Sequence, residues 1–168
     1  VYSVVDMADL AGDRYRAKRN FVKRIAALKS EVCGLTAASV HEFLELNNQW
    51  CKLRDCHSNE ELSAENVAVT RVLENFDKLD VSGVCVRIDG KLEAFAIGEP
   101  LNHDTYVEHF EKAGQIKGSA QFMLQAFAKR IVSGYLYLHR EQDLGFQGLK
   151  KAKESYHPMK MVRKVLVY

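Results

Sequence analysis

Apolar residues recur at two different spacings along the chain, and the change of spacing divides the chain into two regions. Before Ser82 most apolar positions fall three or four residues apart, which is the spacing of amphipathic helices. This spacing predicts helices at residues 14–29, 36–56 and 63–79, after a short β-prone strand at residues 1–5. The first region is therefore expected to be mainly helical.

Alternation of apolar and polar residues begins at Ser82 and is typical of half-buried strands. Asp89 and Gly90 form a type I′ turn signal between two such runs, which predicts a β-hairpin. Further strands are predicted at residues 105–112 and 135–139, separated by a small-residue loop and a helix that ends near residue 132. A strand, helix and strand in this order favour a parallel pair.

The remaining predicted elements are a short helix at residues 145–156 and a closing strand at residues 161–168. Strands and helices that alternate in this way indicate an α/β fold, with a mixed sheet and helices packed on it. A chain of 168 residues has the size of one domain. Residues 1–168 are therefore interpreted as a single domain.

The composition is that of an ordinary folded protein, with 47% hydrophobic and 27% charged residues. No apolar run approaches the roughly 20 residues that a membrane-spanning helix needs, and no signal-peptide pattern opens the chain. These features predict a cytoplasmic location. Because the chain begins at Val1 rather than at methionine, we expect more protein upstream.

The four cysteines occur without a paired CxxC spacing; they are Cys33, Cys51, Cys56 and Cys85. This arrangement suggests neither a zinc site nor a disulfide framework. Cys51, Cys56 and His57 lie close in sequence but fit no zinc spacing. We therefore expect buried free thiols and no metal site.

Two segments are strongly basic although the formal net charge is only +2. The predicted helix at residues 14–29 carries seven Lys and Arg residues, and a second cluster lies at residues 150–164. Such clusters can bind phosphate-rich partners such as RNA or anionic lipid headgroups. A solvated helix face is the alternative, and charge alone favours it.

The loop before the longest helix of the second region has small residues at regular positions. Its residues are Gln115, Ile116, Lys117, Gly118, Ser119 and Ala120. Small residues let the backbone approach a ligand closely, and free N–H groups at a helix start attract phosphate oxygens. The spacing is similar to the [Gln/Arg]-x-x-Gly-x-[Gly/Ala] sequence that acetyltransferases place between a strand and the following helix. An anion-binding loop is therefore predicted, with an ordinary helix cap as the alternative.

Five segments carry a wider resemblance: Lys18-Arg19-Asn20, IGEPLN at residues 97–102, HFEKA at 109–113, REQDLG at 140–145 and GLKKAKESYHP at 148–158. In this order they resemble the bacterial family related to the C-terminal domain of phosphatidylglycerol lysyltransferase. The match spans nearly the whole chain. Members of this family are similar to tandem acetyltransferase-type domains, and this chain resembles the second of the two.

The resemblance implies a GNAT-like mixed sheet, the acyl-coenzyme A N-acyltransferase fold, and an upstream GNAT-like partner domain. It implies aminoacyl-tRNA or acyl-coenzyme A as the donor substrate, with no tightly bound cofactor. If aminoacyl-tRNA is the donor, the basic helix at residues 14–29 would contact tRNA phosphates. Fold alone does not identify the donor or the acceptor.

Acyl transfer needs a base for the proton of the nucleophile and hydrogen-bond donors for the oxyanion. The catalytic candidates are Glu108, His109, Arg140, Asp143 and Tyr156, with Glu99 as a further carboxylate. On a regular strand Glu108 and His109 point to opposite faces, so at most one would reach a given ligand. An Arg140–Asp143 pair that only holds a loop is an equal alternative.

Tyr156 follows the last predicted helix, near the place where many acetyltransferases keep a tyrosine that reprotonates the leaving group. Simple packing with the hydroxyl at the surface is the alternative for this residue. The leading hypothesis is an acyltransferase that uses an amine or hydroxyl acceptor. A non-catalytic module that packs on its upstream partner competes with it, and attachment to an anionic lipid surface through the basic helix is a third hypothesis.

Overall fold

The sheet of this computed structural model has six strands, and the structure describes residues 1–143 and 145–162. The strands are β1 (Tyr2–Ser3), β2 (Ser30–Gly34), β3 (Ser82–Ile88), β4 (Lys91–Pro100), β5 (Thr105–Ala113) and β6 (Tyr137–His139). Their spatial order is β1-β6-β5-β4-β3-β2. All neighbours pair antiparallel except β5 and β6, which pair parallel as predicted.

Helices cover both faces of this sheet. They are α1 (Val4–Asp9), α2 (Arg16–Ala26), α3 (Val40–Arg54), α4 (Glu60–Glu74), α5 (Ser119–Ile131) and α6 (Gln147–Glu154). The predicted α/β class, with a mixed sheet and packed helices, is confirmed.

Side-chain alternation in β4 supplies a core to each face. Ala94 and Ala96 belong to the cluster that packs under α1, α2 and α5. Phe95 and Ile97 point the other way and pack under α3 and α4, where the ring of Phe43 meets Phe95 edge to face at 5.1 Å. Each fully buried aromatic or branched side chain contributes about 1.5–3 kcal/mol of hydrophobic stabilisation.

The predicted hairpin is present, and the helix predicted at residues 63–79 is shifted along the chain. Asp89 and Gly90 have φ of 51° and 78°, as a type I′ turn requires. The helix predicted at residues 63–79 spans Glu60–Glu74 instead, because Asn59 caps it by accepting the N–H of Leu62 at 2.9 Å.

Two predictions at the chain ends differ from the structure. The strand predicted at residues 1–5 is only two residues long, because the hydroxyl of Ser3 accepts the N–H of Asp6 and starts α1. The strand predicted at residues 161–168 lies mostly outside the described residues. Met161 and Val162, which are described, belong to neither a helix nor a strand.

The prediction that all four cysteines are free thiols is wrong for one pair. Cys33 on β2 and Cys85 on β3 are register partners with Cα atoms 5.1 Å apart, and they form a disulfide. Because strand β2 was not predicted, nothing indicated that these two cysteines lie side by side. Cys51 and Cys56 are buried free thiols, as expected.

Candidate functional site

Strands β5 and β6 separate partway along their length and leave a cleft between them. Their parallel pairing ends at Val107 and His139, while β5 continues to Ala113. The cleft has a volume of about 1510 Å³ and reaches from the start of α5 to helices α3, α4 and α6. Such a fork at the carboxyl ends of parallel strands is a common ligand position in α/β sheets.

A β-bulge shapes the wall of this cleft. Ile97 pairs with Phe110 and Gly98 pairs with Glu108, so His109 has no partner across the strand pair. A Cβ at Gly98 would lie 2.1 Å from the carbonyl oxygen of Val107, so only glycine permits this approach of β4 to β5. The extra residue lets β5 bend away from β6.

A buried ion-pair cluster spans the fork. Nε of Arg140, just beyond β6, donates to Oε2 of Glu108 on β5 at 2.6 Å, and the same guanidinium also contacts Glu111. Arg140 and Glu108 are only 7% and 3% exposed. The two strands are thus held by side chains at the point where their backbone pairing stops.

The environment of Glu108 favours its protonated form. Burial raises the pKa of this carboxyl to about 7; the charge of Arg140 opposes the shift and that of Glu111 adds to it. Among the described residues, Oε1 of Glu108 has no hydrogen-bond partner. A buried carboxyl with one free oxygen and a pKa near neutrality is suited to exchanging a proton with a ligand.

Tyr156 lies beside this cluster with its hydroxyl buried. Its Oη is likewise without a partner in the described part of the chain. Two cations lie near the ring, with Nζ of Lys18 at 4.3 Å and Cζ of Arg140 at 5.6 Å from its centroid. Burial raises the pKa of the phenol above its ordinary value. The surface hydroxyl considered from the sequence is not observed.

His109 is held by a carboxylate on each side. Its Nε2 lies 2.9 Å from Oε1 of Glu99, and its Nδ1 lies 3.4 Å from Oε1 of Glu141. Glu141 adopts the left-handed conformation with φ of 34°, which is uncommon for this residue type. Because of the bulge, His109 and Glu108 both line the cleft. The expectation that only one of them could do so assumed a regular strand.

Lys153 of α6 fixes the segment that follows β6, a role that the sequence did not indicate. Its Nζ donates to the carbonyl oxygens of Arg140 and Gln142, each at 2.6 Å. The ammonium therefore clamps the chain on both sides of Glu141. Burial and the nearby Arg140 lower the pKa of this lysine.

Asp143 takes part in a turn rather than in an ion pair with Arg140. Its Oδ1 accepts the N–H of Gly145 at 3.1 Å, and its carbonyl oxygen accepts the N–H of Phe146 at 3.0 Å. Arg140 is paired with Glu108 and Glu111 instead. Of the five catalytic candidates, Asp143 alone does not line the large cleft.

All six residues of the predicted anion loop, 115–120, line the cleft. Gly118 has φ of 109° and precedes α5, where the N–H groups of Ala120 and Gln121 have no intrahelical acceptor. A Cβ at Gly118 would lie 3.3 Å from Phe21 and Ile25, so α2 supports the loop from behind. The loop is therefore built into the fold and borders the cleft.

Two N–H groups of this loop are already occupied, and that of Ser119 donates to the carbonyl oxygen of Ile116 at 3.0 Å. Oε1 of Glu93 accepts the N–H of Ile116 at 2.8 Å, and the carbonyl oxygen of Glu93 accepts the N–H of Gly114 at 2.7 Å. A carboxylate at this position repels an approaching phosphate. Its presence was not foreseen, because Glu93 lies on β4, more than 20 residues earlier in the chain.

The opposite wall of the cleft contains a buried lysine. Lys112 is 2% exposed, and its Nζ donates to Oε2 of Glu65 at 2.6 Å while lying 3.7 Å from the ring centroid of Trp50. A carboxylate and an aromatic face together compensate the buried ammonium. These residues join β5 to α3 and α4, and no local sequence signal indicates that contact.

The basic helix is partly engaged within the fold. Arg14 pairs with Asp6, Arg19 donates to the carbonyl oxygens of Leu10 and Gly12, and Lys18 donates to Ser155 at 2.6 Å. The other four basic residues of this segment are exposed; they are Arg16, Lys23, Arg24 and Lys29. They remain available for solvent or for a partner.

Among residues 1–143 and 145–162, no group of three or more His, Cys, Asp and Glu side chains is arranged to hold a metal ion. Within the same residues, no helix is long and apolar enough to cross a membrane.

Comparison with solved structures identifies the class of fold. A ribosomal-protein-alanine N-acetyltransferase from Brucella melitensis biovar Abortus 2308 superposes with a TM-score of 0.60 at 14% identity. The match covers 83% of this chain and 98% of that one. The sheet, the fork and the helix that begins beside it are those of a GNAT fold, the acyltransferase-type fold.

The particular family follows from the sequence of the whole chain. Residues 1–168 match the family model described as "Phosphatidylglycerol lysyltransferase, C-terminal", and the chain belongs to this family. A comparison with curated proteins gave no match.

Two further solved structures are similar to this chain over almost its whole length. A conserved protein of unknown function from Bacteroides thetaiotaomicron VPI-5482 is 37% identical, with a TM-score of 0.90 over 95% of this chain. The C-terminal domain of a putative lysylphosphatidylglycerol synthetase from Agrobacterium fabrum is 15% identical, with a TM-score of 0.63 over 94% of this chain. This chain spans 55% of the length of each.

Proposed function

We propose that this chain transfers an aminoacyl or acyl group from a phosphate-bearing donor to an amine or hydroxyl acceptor. The observation that supports this proposal best is the fork, where the loop at residues 115–120 and the groups without partners on Glu108 and Tyr156 border one cleft. Donor binding and proton transfer would then take place in a single connected space.

The proposed chemistry assigns a role to each of these groups. The acceptor nitrogen or oxygen attacks the donor carbonyl carbon, and Oε1 of Glu108 takes the proton that the acceptor loses. Oη of Tyr156 gives a proton to the departing thiolate or tRNA hydroxyl oxygen. Arg140 holds Glu108 in place through its other oxygen, at 2.6 Å.

Aminoacyl-tRNA is the donor that we expect. The family name refers to lysyl transfer, and the exposed basic residues of α2 lie on a helix that supports the donor loop. The occupied N–H of Ile116 leaves fewer contacts for the pyrophosphate of coenzyme A. Acyl-coenzyme A is the alternative, and the experiments below compare both donors.

The proposal also includes a partner domain and a location in the cell. Because this chain matches only 55% of the length of two similar proteins, we propose an upstream GNAT-like domain as its partner. Aminoacyl-tRNA is a cytoplasmic substrate, so the reaction would take place in the cytoplasm.

The function is tested by incubating the protein with lysyl-tRNA or acetyl-coenzyme A, together with phosphatidylglycerol vesicles or free amines. Cleavage of the donor bond above the spontaneous rate, with the group recovered on the acceptor, is the expected result. Failure of both donors to bind or react would overturn the proposal.

Charge reversal at Lys117 is expected to weaken donor binding about tenfold, because a phosphate loses a charged contact and meets a carboxylate instead. The side chain is exposed, so Lys117→Glu leaves the packing of the loop unchanged. Filter binding of lysyl-tRNA and calorimetry with coenzyme A measure the effect. The matched control is Lys129→Glu, an exposed change at the far end of α5 that should alter affinity less than threefold. Equal losses in both variants would show that the loop has no specific part in binding.

Neutralising Glu93 should have the opposite effect and tighten binding of coenzyme A about threefold to tenfold, because it removes a negative charge beside the loop. Glu93→Gln retains an oxygen for the N–H of Ile116. Calorimetry with coenzyme A and with inorganic pyrophosphate measures the change, and Glu31→Gln on the exposed edge strand is the control. Unchanged or weaker binding in Glu93→Gln would mean that phosphates do not approach this part of the loop.

A non-catalytic module that completes the cleft of a partner domain is the second candidate. This candidate is favoured because several groups that a reaction would need already contact other side chains of the protein. These groups are both ring nitrogens of His109, one oxygen of Glu108 and the N–H of Ile116. Donor binding without bond cleavage, in the presence of the partner domain, would support this candidate over transfer.

A further inference from the structure

The disulfide between Cys33 and Cys85 joins the edge strand β2 to its neighbour β3. Strand β2 stands at the end of the strand order and, within residues 1–143 and 145–162, pairs with β3 alone. Cys85 is buried, whereas Cys33 is half-buried on a strand whose neighbours Glu31 and Val32 are exposed. The sulfur of Cys33 is therefore the one that a dissolved reagent would reach first.

The edge strand connects the two walls of the cleft. It follows α2, whose residues Phe21 and Ile25 lie against Gly118 of the loop at residues 115–120. It precedes α3, whose Trp50 covers the ammonium of Lys112. If β2 is held less firmly against β3, we expect α2 and α3 to become more mobile as well, because both are connected to β2 along the chain.

Other contacts of the edge strand are few. Five register pairs join it to β3, from Ser30 opposite Ile88 to Gly34 opposite Val84. The N–H of Leu35 donates to the carbonyl oxygen of Gly83 at 3.1 Å directly after the strand. A five-residue edge strand without a fully buried residue is among the first elements to open in local unfolding, and a covalent link opposes that opening.

We propose that the Cys33–Cys85 pair is a redox-sensitive clasp that tethers the α2 and α3 walls of the cleft when oxidised and loosens them when reduced. The link between β2 and β3 is observed in the structure. Its effect on donor binding rests on the proposed function.

The chemistry is thiol–disulfide exchange with a low-molecular-weight disulfide such as oxidised glutathione. The thiolate of Cys33 attacks one sulfur of that disulfide and releases one glutathione thiolate. The thiolate of Cys85 then attacks the sulfur of Cys33 and releases the second. The two cysteines lose two electrons and two protons in total, and the reagent is reduced to two thiols.

Thermal unfolding of the protein, with and without dithiothreitol, tests the link itself. Reduction is expected to lower the Tm by about 5–10 °C, because the bond closes a loop between residues 52 apart in sequence. The Cys33→Ala variant should show no effect of the reductant. The Cys51→Ala variant, which loses a buried free thiol instead, should retain the full shift.

Hydrogen exchange under the same two conditions tests the tether. Reduction should speed exchange in residues 30–34 and also in the loop at residues 115–120, in the absence of any donor. Faster exchange in residues 30–34 alone would refute the tether, and a reductant effect that persists in Cys33→Ala would refute the clasp. Neither outcome bears on whether the protein transfers acyl groups, so the two proposals fail separately.

Discussion

Replacing Arg140 by methionine is expected to lower the free energy of unfolding by about 3–5 kcal/mol. The guanidinium is 7% exposed and is the hydrogen-bonding partner of Glu108, which is 3% exposed. Methionine has a similar length but no charge, so the carboxyl groups of Glu108 and Glu111 both lose the cation that they contact. Urea denaturation at neutral pH, with the midpoint and slope fitted together, measures the loss.

Two further variants separate the ion pair from general effects of losing an arginine. Arg71→Met removes an exposed arginine of α4 and should change stability by less than about 0.5 kcal/mol. The double variant Arg140→Met with Glu108→Gln removes one of these two carboxyl groups and should recover part of the loss. A loss in Arg140→Met no larger than that in Arg71→Met would show that the cluster does not hold the fork together.

Much of the fold could be predicted because its signals are local. The Asp89-Gly90 turn, the alternation of β3 and β4, and the small residues before α5 are each written within a few neighbouring positions. The strand and helix order then predicted the parallel pair of β5 and β6 without any knowledge of packing. The placement of the loop at residues 115–120 beside a cleft follows from the same order.

Strand β2 was missed because its stability comes from its neighbour. Its five residues, SEVCG, form a short strand in which two residues are exposed and three are half-buried, so they show neither a long alternation nor a buried face. Only its pairing with β3 and the link from Cys33 to Cys85 make it a strand. An edge strand of this kind leaves little trace in its own sequence.

The arrangement of the site was not predictable for a related reason. Glu108 and Arg140 are 32 residues apart, and Lys112 and Glu65 are 47 apart, so both pairs depend on tertiary packing. The bulge that brings His109 to the same cleft as Glu108 has no signal in the alternation of β5. Candidate residue types could be chosen from the sequence, but their partners could not.

The pairing of Glu108 with Arg140 has two opposing effects. The contact at 2.6 Å favours the charged carboxylate, while burial of the whole cluster favours the neutral acid. Burial prevails, and the pKa lies near 7. The residue proposed as the base is therefore held in position by the arginine and tuned by its surroundings.

The free energy of unfolding should contain a component that falls by about 2–3 kcal/mol as the pH rises from acid to slightly alkaline. The pKa of Glu108 is about 7 in the folded protein against an ordinary value of 4.5, so the folded state binds this proton more tightly. That stabilisation is complete below pH 4.5 and is lost as the pH rises through 7. Urea denaturation at about pH 5 and about pH 8, in the wild type and in Glu108→Gln, isolates it.

The glutamine variant resembles the protonated acid at every pH and should lack this component. Its stability relative to the wild type should therefore improve by about 2–3 kcal/mol between the two pH values. Glu154→Gln removes an exposed carboxylate at the end of α6. The difference in stability between this variant and the wild type should change by no more than about 0.5 kcal/mol between the two pH values. If the wild type instead gains stability relative to Glu108→Gln as the pH rises, Arg140 keeps the carboxyl ionised and the balance between burial and pairing has the opposite sign. Glu108 would then be a fixed counter-ion of Arg140, and the proton of the acceptor would have to go to another group.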